Sequence, residues 1–179
     1  GGEIGKSLCN NKELIVVKEF LDKSKNSNTK IILPIDFIVT TDIQSKQNIT
    51  VSDATNIMQN KMGVDVGPKT MDLFHETIKK SKYIVWNGPM GVSEIEEFSS
   101  GTKKLGNMIV SATKRGAYSL IGGGDTISAV VKFGIANKIS YISTGGGAML
   151  EFFRNNDLPG VINLKSIVKK NQNSEKKSI

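Results

Sequence analysis

Two short glycine runs are the parts of the sequence best suited to chemistry. They lie at 122–126 (Gly-Gly-Gly-Asp-Thr) and 145–147 (Gly-Gly-Gly), and each follows a short apolar segment. A glycine run lets the backbone approach a ligand closely, and a helix that begins after it offers unpaired N–H groups and the positive end of its dipole. One such loop is more often only a tight turn, but two in adjacent units favour a polyphosphate ligand held by two helix starts.

Asp125, inside the first run, indicates a metal-bound ligand. A carboxylate among phosphate-binding amides would repel phosphate unless a cation lay between them, and Mg²⁺ binds through one or two carboxylates together with substrate phosphates. We therefore expect Asp125 to hold a metal–nucleotide complex. The same spacing suits Asp125 as the N-cap of a helix over 127–131, and the two roles are compatible. Thr126 could cap that helix or hydrogen-bond to phosphate.

Another loop, earlier in the chain at 87–92 (Asn-Gly-Pro-Met-Gly-Val), is stiffened by Pro89 and followed by Glu94. Glu94 could accept hydrogen bonds from ribose hydroxyls, as acidic residues do in dinucleotide-binding folds. From the residues alone, a solvated glutamate beside two other glutamates is the better interpretation. His75, the single histidine, lies on a predicted helix among polar neighbours without a nucleophile near it in sequence, which argues against a hydrolase triad.

The elements before these loops predict the fold class. Short apolar strands are expected at 83–86, 118–121 and 141–144, and they alternate with helical segments. This alternation is typical of a parallel sheet covered on both faces. We therefore predict an α/β fold, an open parallel sheet with helices on both faces, Rossmann-like in three α/β/α layers. Ligands of such sheets bind at the carboxyl ends of the strands, so the three loops are expected to share one edge.

The first half of the chain is less regular. The pattern predicts a helix with a broad apolar face at 14–21, a buried strand at 30–35, a further strand at 49–53, and a helix at 69–80 begun by Pro68.

Composition limits the functional classes. The chain has 179 residues, 38% of them hydrophobic and 23% charged, which suits a globular domain rather than a disordered polyelectrolyte. It lacks an apolar run of the roughly 18 residues that a bilayer span needs, so a cytoplasmic location is expected. Cys9 is the single cysteine, which excludes an intramolecular disulfide or a cysteine-based zinc site. The net charge is +7, and a lysine-rich end at 169–179 carries part of it.

Several motifs in register resemble the nucleotide-binding half of phosphoglycerate kinase. The resemblance covers most of residues 1–165. The motifs lie at 33–36 (Leu-Pro-Ile-Asp), 63–68 (Gly-Val-Asp-Val-Gly-Pro), 86–92 (Trp-Asn-Gly-Pro-Met-Gly-Val), 122–126, 143–148 (Ser-Thr-Gly-Gly-Gly-Ala) and 158–161 (Leu-Pro-Gly-Val).

The resemblance implies a function and a set of site residues. The family transfers a phosphoryl group between 1,3-bisphosphoglycerate and ADP, giving 3-phosphoglycerate and ATP in glycolysis, with two lobes that close by a hinge. It implies Mg-ATP or Mg-ADP as the ligand and Asp125 as the metal-holding residue. By position, the resemblance places Gly63, Val64 and Val92 at the adenine and Asn87, Pro89 and Glu94 at the ribose. It places Gly122, Gly123, Gly124 and Thr126 at the phosphates. The transferring phosphoryl group would lie near Gly123, Gly145, Gly146 and Gly147.

Departures from the family pattern qualify this expectation. The sequence starts after the family's lysine-bearing Gly-Gly-Ala-Lys strand and carries no acceptor-binding lobe, so we expect 1–165 to be a partial C-terminal domain, monomeric and inactive alone. Ser93 replaces an aromatic residue, which would loosen the ribose loop, and Met149 replaces a small polar one and is expected to pack inward.

The Lys- and Asn-rich tail at 166–179 is expected to be disordered. An alternative function is a non-catalytic, kinase-derived interaction module whose basic tail binds an anionic partner. Under the main hypothesis no nucleic acid or membrane partner is expected.

Overall fold

The structure, a computed structural model, describes residues 2–155, 158, 161 and 162. The tail predicted at 166–179 lies outside the described residues. The helices are α1 (Leu14–Lys25), α2 (Pro68–Ile78), α3 (Ser100–Lys114), α4 (Gly124–Lys132) and α5 (Gly146–Asn155). The strands are β1 (Glu3–Ile4), β2 (Asp36–Thr40), β3 (Thr50–Asp53), β4 (Asn56–Ile57), β5 (Met62–Val66), β6 (Tyr83–Asn87), β7 (Tyr118–Gly122) and β8 (Tyr141–Ser143).

The second half of the chain forms the parallel sheet that the sequence predicts. Its strand order is β6-β7-β8, and all pairs are parallel. Trp86 and Ile121 are buried in the core beneath α3, whose Leu105 and Ile109 belong to the same cluster. On the opposite face, α5 borders a cavity of about 420 Å³ together with Leu120 of β7. The predicted α/β, Rossmann-like class is confirmed.

An antiparallel sheet in the first half was not predicted. Its order is β3-β2-β5, with β2 antiparallel to both neighbours. The strand expected at 49–53 is present as β3. A separate two-stranded parallel sheet joins β1 and β4. The α/β pattern therefore holds for the glycine-loop half of the chain, while the preceding half adds its own small sheets.

The buried strand predicted at 30–35 is wrong, since the strand begins only at Asp36. Pro34 has no N–H to give to a strand ladder, and the N–H of Ile35 donates instead to the Thr70 hydroxyl at 3.0 Å. Leu33 is exposed. Within the described residues no strand pairs with this run.

Helix α1 is present where it was predicted, but it buries none of its residues. Its apolar side chains Leu14, Ile15, Val16, Val17 and Phe20 are all exposed. The apolar periodicity thus predicts the helix correctly, but its apolar face is not buried against any of the described residues.

Helix α2 begins at Pro68, as predicted, and Asp36 caps it from β2. The carboxylate of Asp36 accepts hydrogen bonds from the Lys69 and Thr70 amides at 3.0 and 2.8 Å and from the Thr70 hydroxyl at 2.6 Å. Burial of Asp36 opposes its ionisation, but these hydrogen bonds from Thr70 and Lys69 outweigh it and lower the pKa of Asp36 below the ordinary 3.8. The ionised carboxylate also matches the positive end of the helix dipole.

Candidate functional site

The three glycine-bearing loops lie at one edge of the parallel sheet; in chain order they are the first loop at 87–92, the second at 122–126 and the third at 145–147. Asn87 is aligned with Gly122 across β6 and β7, and Gly122 is aligned with Ser143 across β7 and β8. Because all three strands are parallel, the loops that follow them emerge from the same edge. Gly146 meets the second loop directly, since a Cβ on Gly146 would lie 2.7 Å from the backbone nitrogen of Gly123.

Two helix starts therefore face the same space. The first hydrogen bond of α4 runs from the Ile127 N–H to the Gly123 carbonyl at 3.0 Å, and that of α5 from the Met149 N–H to the Gly145 carbonyl at 2.8 Å. The three amides before each of these bonds have no partner in their own helix. At Gly124 and Gly147 an added Cβ would meet nothing within 4 Å. The arrangement offers six backbone donors and two helix dipoles to an anion.

Gly123 is required at its position for two reasons. Its φ of +89° lies in the left-handed region that side chains other than glycine rarely adopt. A Cβ there would also lie 3.2 Å from Nδ2 of Asn87, the last residue of β6. The first and second loops are thus in contact through Asn87 and Gly123.

Asp125 is exposed in the first turn of α4. The residue at the N-cap position is Gly123, and no side chain caps this helix. The N-cap interpretation of Asp125 is therefore wrong, because the helix starts at Gly124, two residues earlier than that role requires. The carboxylate is free to face a ligand beside the unpaired amides.

Thr126 is fully buried. Its hydroxyl oxygen accepts a hydrogen bond from the Gly88 N–H at 2.7 Å. The Thr126 side chain thus ties the first loop to the start of α4, and it is the backbone amide of this residue that remains at the helix start. The sequence predicts Thr126 at the phosphates but gives no sign of its link to Gly88.

Met149 packs inward, as the sequence predicts, and its side chain lies against Gly122. The bulky residue is therefore directed into the protein, and its first-turn neighbours Gly146 and Gly147 keep their position at the loop edge.

The donor set at this edge suits a magnesium–phosphate complex better than a metal held by protein alone. Within residues 2–155, no group of three or more His, Cys, Asp or Glu side chains is close enough to hold a metal. Asp125 is a single carboxylate beside amides that would bind phosphate. Mg²⁺ characteristically uses one or two carboxylates and completes its coordination with phosphate oxygens and water.

A cavity of about 820 Å³ lies next to the first loop. Four of the residues predicted at the adenine and ribose line it: Gly63, Val64, Pro89 and Val92. Its other walls include apolar side chains of β1, β2 and β4, and a mostly apolar pocket of this size is suited to a planar base. The two main walls are joined because the Val92 N–H donates to the Val64 carbonyl at 2.9 Å.

Asp65 is a buried residue of this cavity wall that the sequence analysis did not single out. Its carboxylate accepts hydrogen bonds from the Gly101 N–H at 2.6 Å and the Val66 N–H at 2.8 Å. Burial raises the pKa of Asp65, although these two hydrogen bonds act against the shift. Gly91 packs so closely on the carboxylate that a Cβ there would lie 2.6 Å from Oδ1. Asp65 therefore fixes the first loop against the start of α3.

Lys132 is a second residue that sequence reasoning missed. Its ammonium group donates to the carbonyls of Ser93 at 3.0 Å and Glu94 at 3.1 Å. Ser93 is buried and Glu94 is exposed. The backbone of the loop that carries Ser93 and Glu94 is therefore tied to α4 by Lys132. No local signal could have revealed this, because Lys132 lies 39 positions from Ser93.

His75 is exposed on α2, and Cys9 is an exposed free cysteine. No described helix is both long and apolar enough to cross a membrane.

Comparisons with known proteins agree with this geometry. The family model of phosphoglycerate kinase matches residues 1–156. The phosphoglycerate kinase of Thermosipho africanus (strain TCF52B) is 42% identical over 165 residues, which cover 92% of this chain and 41% of that protein. The solved phosphoglycerate kinase from Coxiella burnetii matches with a TM-score of 0.87 at 39% identity, covering 95% of this chain and 42% of that one. The solved phosphoglycerate kinase from Pyrococcus horikoshii OT3 matches with a TM-score of 0.66 at 33% identity, covering 91% of this chain and 40% of that one.

The chain spans about two fifths of the length of these relatives. The family model nevertheless matches far more than half of the chain itself. The chain belongs to the phosphoglycerate kinase family.

Proposed function

We propose that this chain is the nucleotide-binding lobe of a phosphoglycerate kinase and binds Mg-ADP and Mg-ATP. The observation that carries the proposal is the contact between the two glycine loops, in which Gly146 lies against the backbone of Gly123 at the carboxyl edge of the sheet. Two helix starts that meet in this way direct their unpaired amides and dipoles at one region, which suits a chain of phosphates.

The base and the ribose would occupy the neighbouring cavity and its rim. Gly63, Val64 and Val92 supply a narrow apolar wall for the adenine. Pro89 lines the same cavity, and Asn87 contacts the second loop at Gly123. Asn87 and Pro89 thus lie between the cavity and the phosphate loops, where a ribose would lie. Glu94 is exposed and follows them in the chain, and its carboxylate would accept hydrogen bonds from the ribose hydroxyls.

The phosphates would be bound by the amides at the starts of α4 and α5. Gly122, Gly123 and Gly124 allow close backbone approach, and the Thr126 amide completes the first helix start. Asp125 would hold Mg²⁺, which neutralises phosphate charge and orients the terminal phosphates when bound. Gly123, Gly145, Gly146 and Gly147 would border the transferring phosphoryl group. Such transfer needs mainly positioning and charge stabilisation, so a general base in this lobe is unnecessary.

In the whole protein the reaction would be phosphoryl transfer between 1,3-bisphosphoglycerate and ADP in the cytoplasm, with the phosphoglycerate substrate bound by a second lobe. The 179-residue chain alone should bind nucleotide as a monomer without turnover, because holding the phosphoglycerate substrate and excluding water would both need the second lobe. Measurable ATP formation from 1,3-bisphosphoglycerate by this chain alone would contradict that part of the proposal.

The test of the site is calorimetric titration of ADP with and without Mg²⁺. In the wild-type chain, Mg²⁺ should strengthen ADP binding. Asp125→Asn should abolish this strengthening while leaving binding of metal-free ADP intact, since the change removes the metal-holding charge and keeps the shape. The matched control is Asp72→Asn, an exposed aspartate of α2. Equal Mg²⁺ dependence in Asp125→Asn and the control would refute the proposed metal role.

A further inference from the structure

Helix α4 holds both ends of the ribose segment, by which we mean residues 87–94. At the start of the helix, the Thr126 hydroxyl accepts a hydrogen bond from the Gly88 N–H at 2.7 Å. In its last turn, the Lys132 ammonium donates to the carbonyls of the last two residues of the segment at 3.0 and 3.1 Å. The helix whose first amides would bind phosphate is therefore also the helix that fixes the segment proposed to bind ribose.

The two carbonyls that Lys132 binds are those of Ser93 and Glu94. In the part of the chain that the structure describes, neither of them accepts a hydrogen bond from any other group. The neighbouring turn bond runs from the Ile95 N–H to the Val92 carbonyl at 3.1 Å and does not use them. An ammonium group that donates to two successive carbonyls fixes the direction of the backbone between them. Lys132 therefore determines how the chain turns at Glu94.

Lys132 binds the backbone of Glu94 and not its carboxylate. The ion pairs found among the described residues are Lys25–Asp22, Lys46–Glu97 and Lys69–Asp53. Neither Lys132 nor Glu94 belongs to any of them. The lysine thus orients the glutamate through the main chain and leaves the carboxylate oxygens to accept hydrogen bonds from a ligand, as acidic residues do with ribose hydroxyls.

The helix between the two contacts acts as a fixed spacer. Its nine residues span about 13 Å, and three of them, Thr126, Ala129 and Val130, are buried. A lysine in the last turn also suits the negative end of the helix dipole. That effect acts on any cation at this position, however, and it does not require two hydrogen bonds to residues 38 and 39 positions away in the chain.

We propose that Lys132 is a positioning residue for ribose recognition. By holding the carbonyls of Ser93 and Glu94, it keeps the Glu94 carboxylate in a fixed place relative to the α4 amides that would bind the phosphates of the same nucleotide. This inference rests on the proposed nucleotide site and adds a residue to it. Because Lys132 acts through Glu94, its loss should affect the hydroxyl groups of the ribose and not the base or the phosphates.

The experiment compares Mg-ADP with Mg-2′,3′-dideoxy-ADP by calorimetric titration of the full 179-residue chain. The wild-type chain should prefer Mg-ADP by about tenfold, the usual effect of a hydrogen bond to an ionised group. Lys132→Met keeps the length of the side chain but removes its donors, so the preference should fall to about twofold while dideoxy-ADP binds as to wild type. The matched control, Lys138→Met, removes the same charge from an exposed position after α4 and should keep the wild-type preference.

A second variant tests the same step at the glutamate. Glu94→Met should remove the preference for Mg-ADP, because it removes the acceptor of the ribose hydroxyls. Adding Lys132→Met to Glu94→Met should then change neither affinity, since a residue that acts only through a partner has no effect once the partner is lost. Effects of the two substitutions that add in the double variant would contradict the proposal.

Further results would overturn the inference while leaving the nucleotide site in place. They are an equal affinity of the wild-type chain for the two nucleotides, an unchanged preference in Lys132→Met, and an equal weakening of both nucleotides in that variant, which would make Lys132 a general support of the fold. Failure of the wild-type chain to bind either nucleotide would instead refute the proposed function, and this inference with it. A selective loss of Mg-ADP affinity in Lys132→Met supports the inference.

Discussion

The hydrogen bond between Thr126 and Gly88 offers a specific test of how the site is held together. The Thr126 hydroxyl is fully buried and accepts from the Gly88 N–H at 2.7 Å, which joins the loop after β6 to the start of α4. Thr126→Val keeps the shape of the side chain but leaves this N–H without an acceptor. Thr126→Ser keeps the oxygen and loses only one methyl group.

The expected magnitudes separate the two variants. An unsatisfied, partly buried donor costs about 2 kcal/mol, which corresponds to about 30-fold in an equilibrium constant. Loss of one buried methyl group costs about 0.8 kcal/mol. Thr126→Val should therefore lower the free energy of unfolding by about 1 kcal/mol more than Thr126→Ser, and the Gly88 amide should exchange about 30-fold faster only in the valine variant.

Urea denaturation and amide hydrogen exchange measure these two quantities. Mg-ADP affinity should fall in Thr126→Val and be nearly retained in Thr126→Ser, because only the valine variant releases the first loop. Equal stability of the two variants, together with unchanged exchange at Gly88, would refute the claim that this hydroxyl joins the loops.

Three further predictions concern the surrounding residues. Gly146→Ala should weaken Mg-ADP binding at least tenfold by calorimetry without unfolding the chain, since the new Cβ would lie 2.7 Å from the Gly123 nitrogen and must displace that loop; unchanged affinity would contradict the loop contact. Asp36→Ala should lower the free energy of unfolding by about 3 kcal/mol, measured by urea denaturation, because it removes the side-chain hydrogen bonds to the first amides of α2. Ionised Asp36 stabilises the fold fully above the ordinary pKa of 3.8, and this stabilisation is lost as the pH falls through the lowered pKa of Asp36. Protonated Asp65 stabilises the fold fully below 3.8, and this stabilisation is lost as the pH rises through the raised pKa of Asp65. NMR titration should therefore give a lower midpoint for Asp36 than for Asp65, and the reverse order would contradict this description of the two carboxylates.

The sequence was sufficient to predict the arrangement of the three loops. Short apolar strands that alternate with helices allow few arrangements other than a parallel sheet, and parallel strands place their following loops at one edge. The contact between Gly146 and Gly123 is a consequence of that arrangement. The predicted glycines are therefore found together although they lie in separate units of the chain.

The supports of the site could not be predicted in the same way. Asp65 and Gly101 lie 36 positions apart, and Lys132 and Ser93 lie 39 apart. Such hydrogen bonds depend on the packed positions of whole helices and leave no local pattern. The run at 30–35 shows the same limit, because apolar and β-branched residues indicate a strand only where a second strand pairs with them.

The most direct test of the nucleotide site is an NMR titration of the amide resonances with Mg-ADP. We predict that the shifts concentrate at the carboxyl edge, in residues 87–92, 122–126 and 145–148, and in the cavity wall at 63–64. The amides of Gly124 and Gly147, which lie in open space at the two helix starts, should move most. Shifts confined to the amino-terminal edge at 79–83 and 115–118, with the glycine loops unchanged, would contradict it.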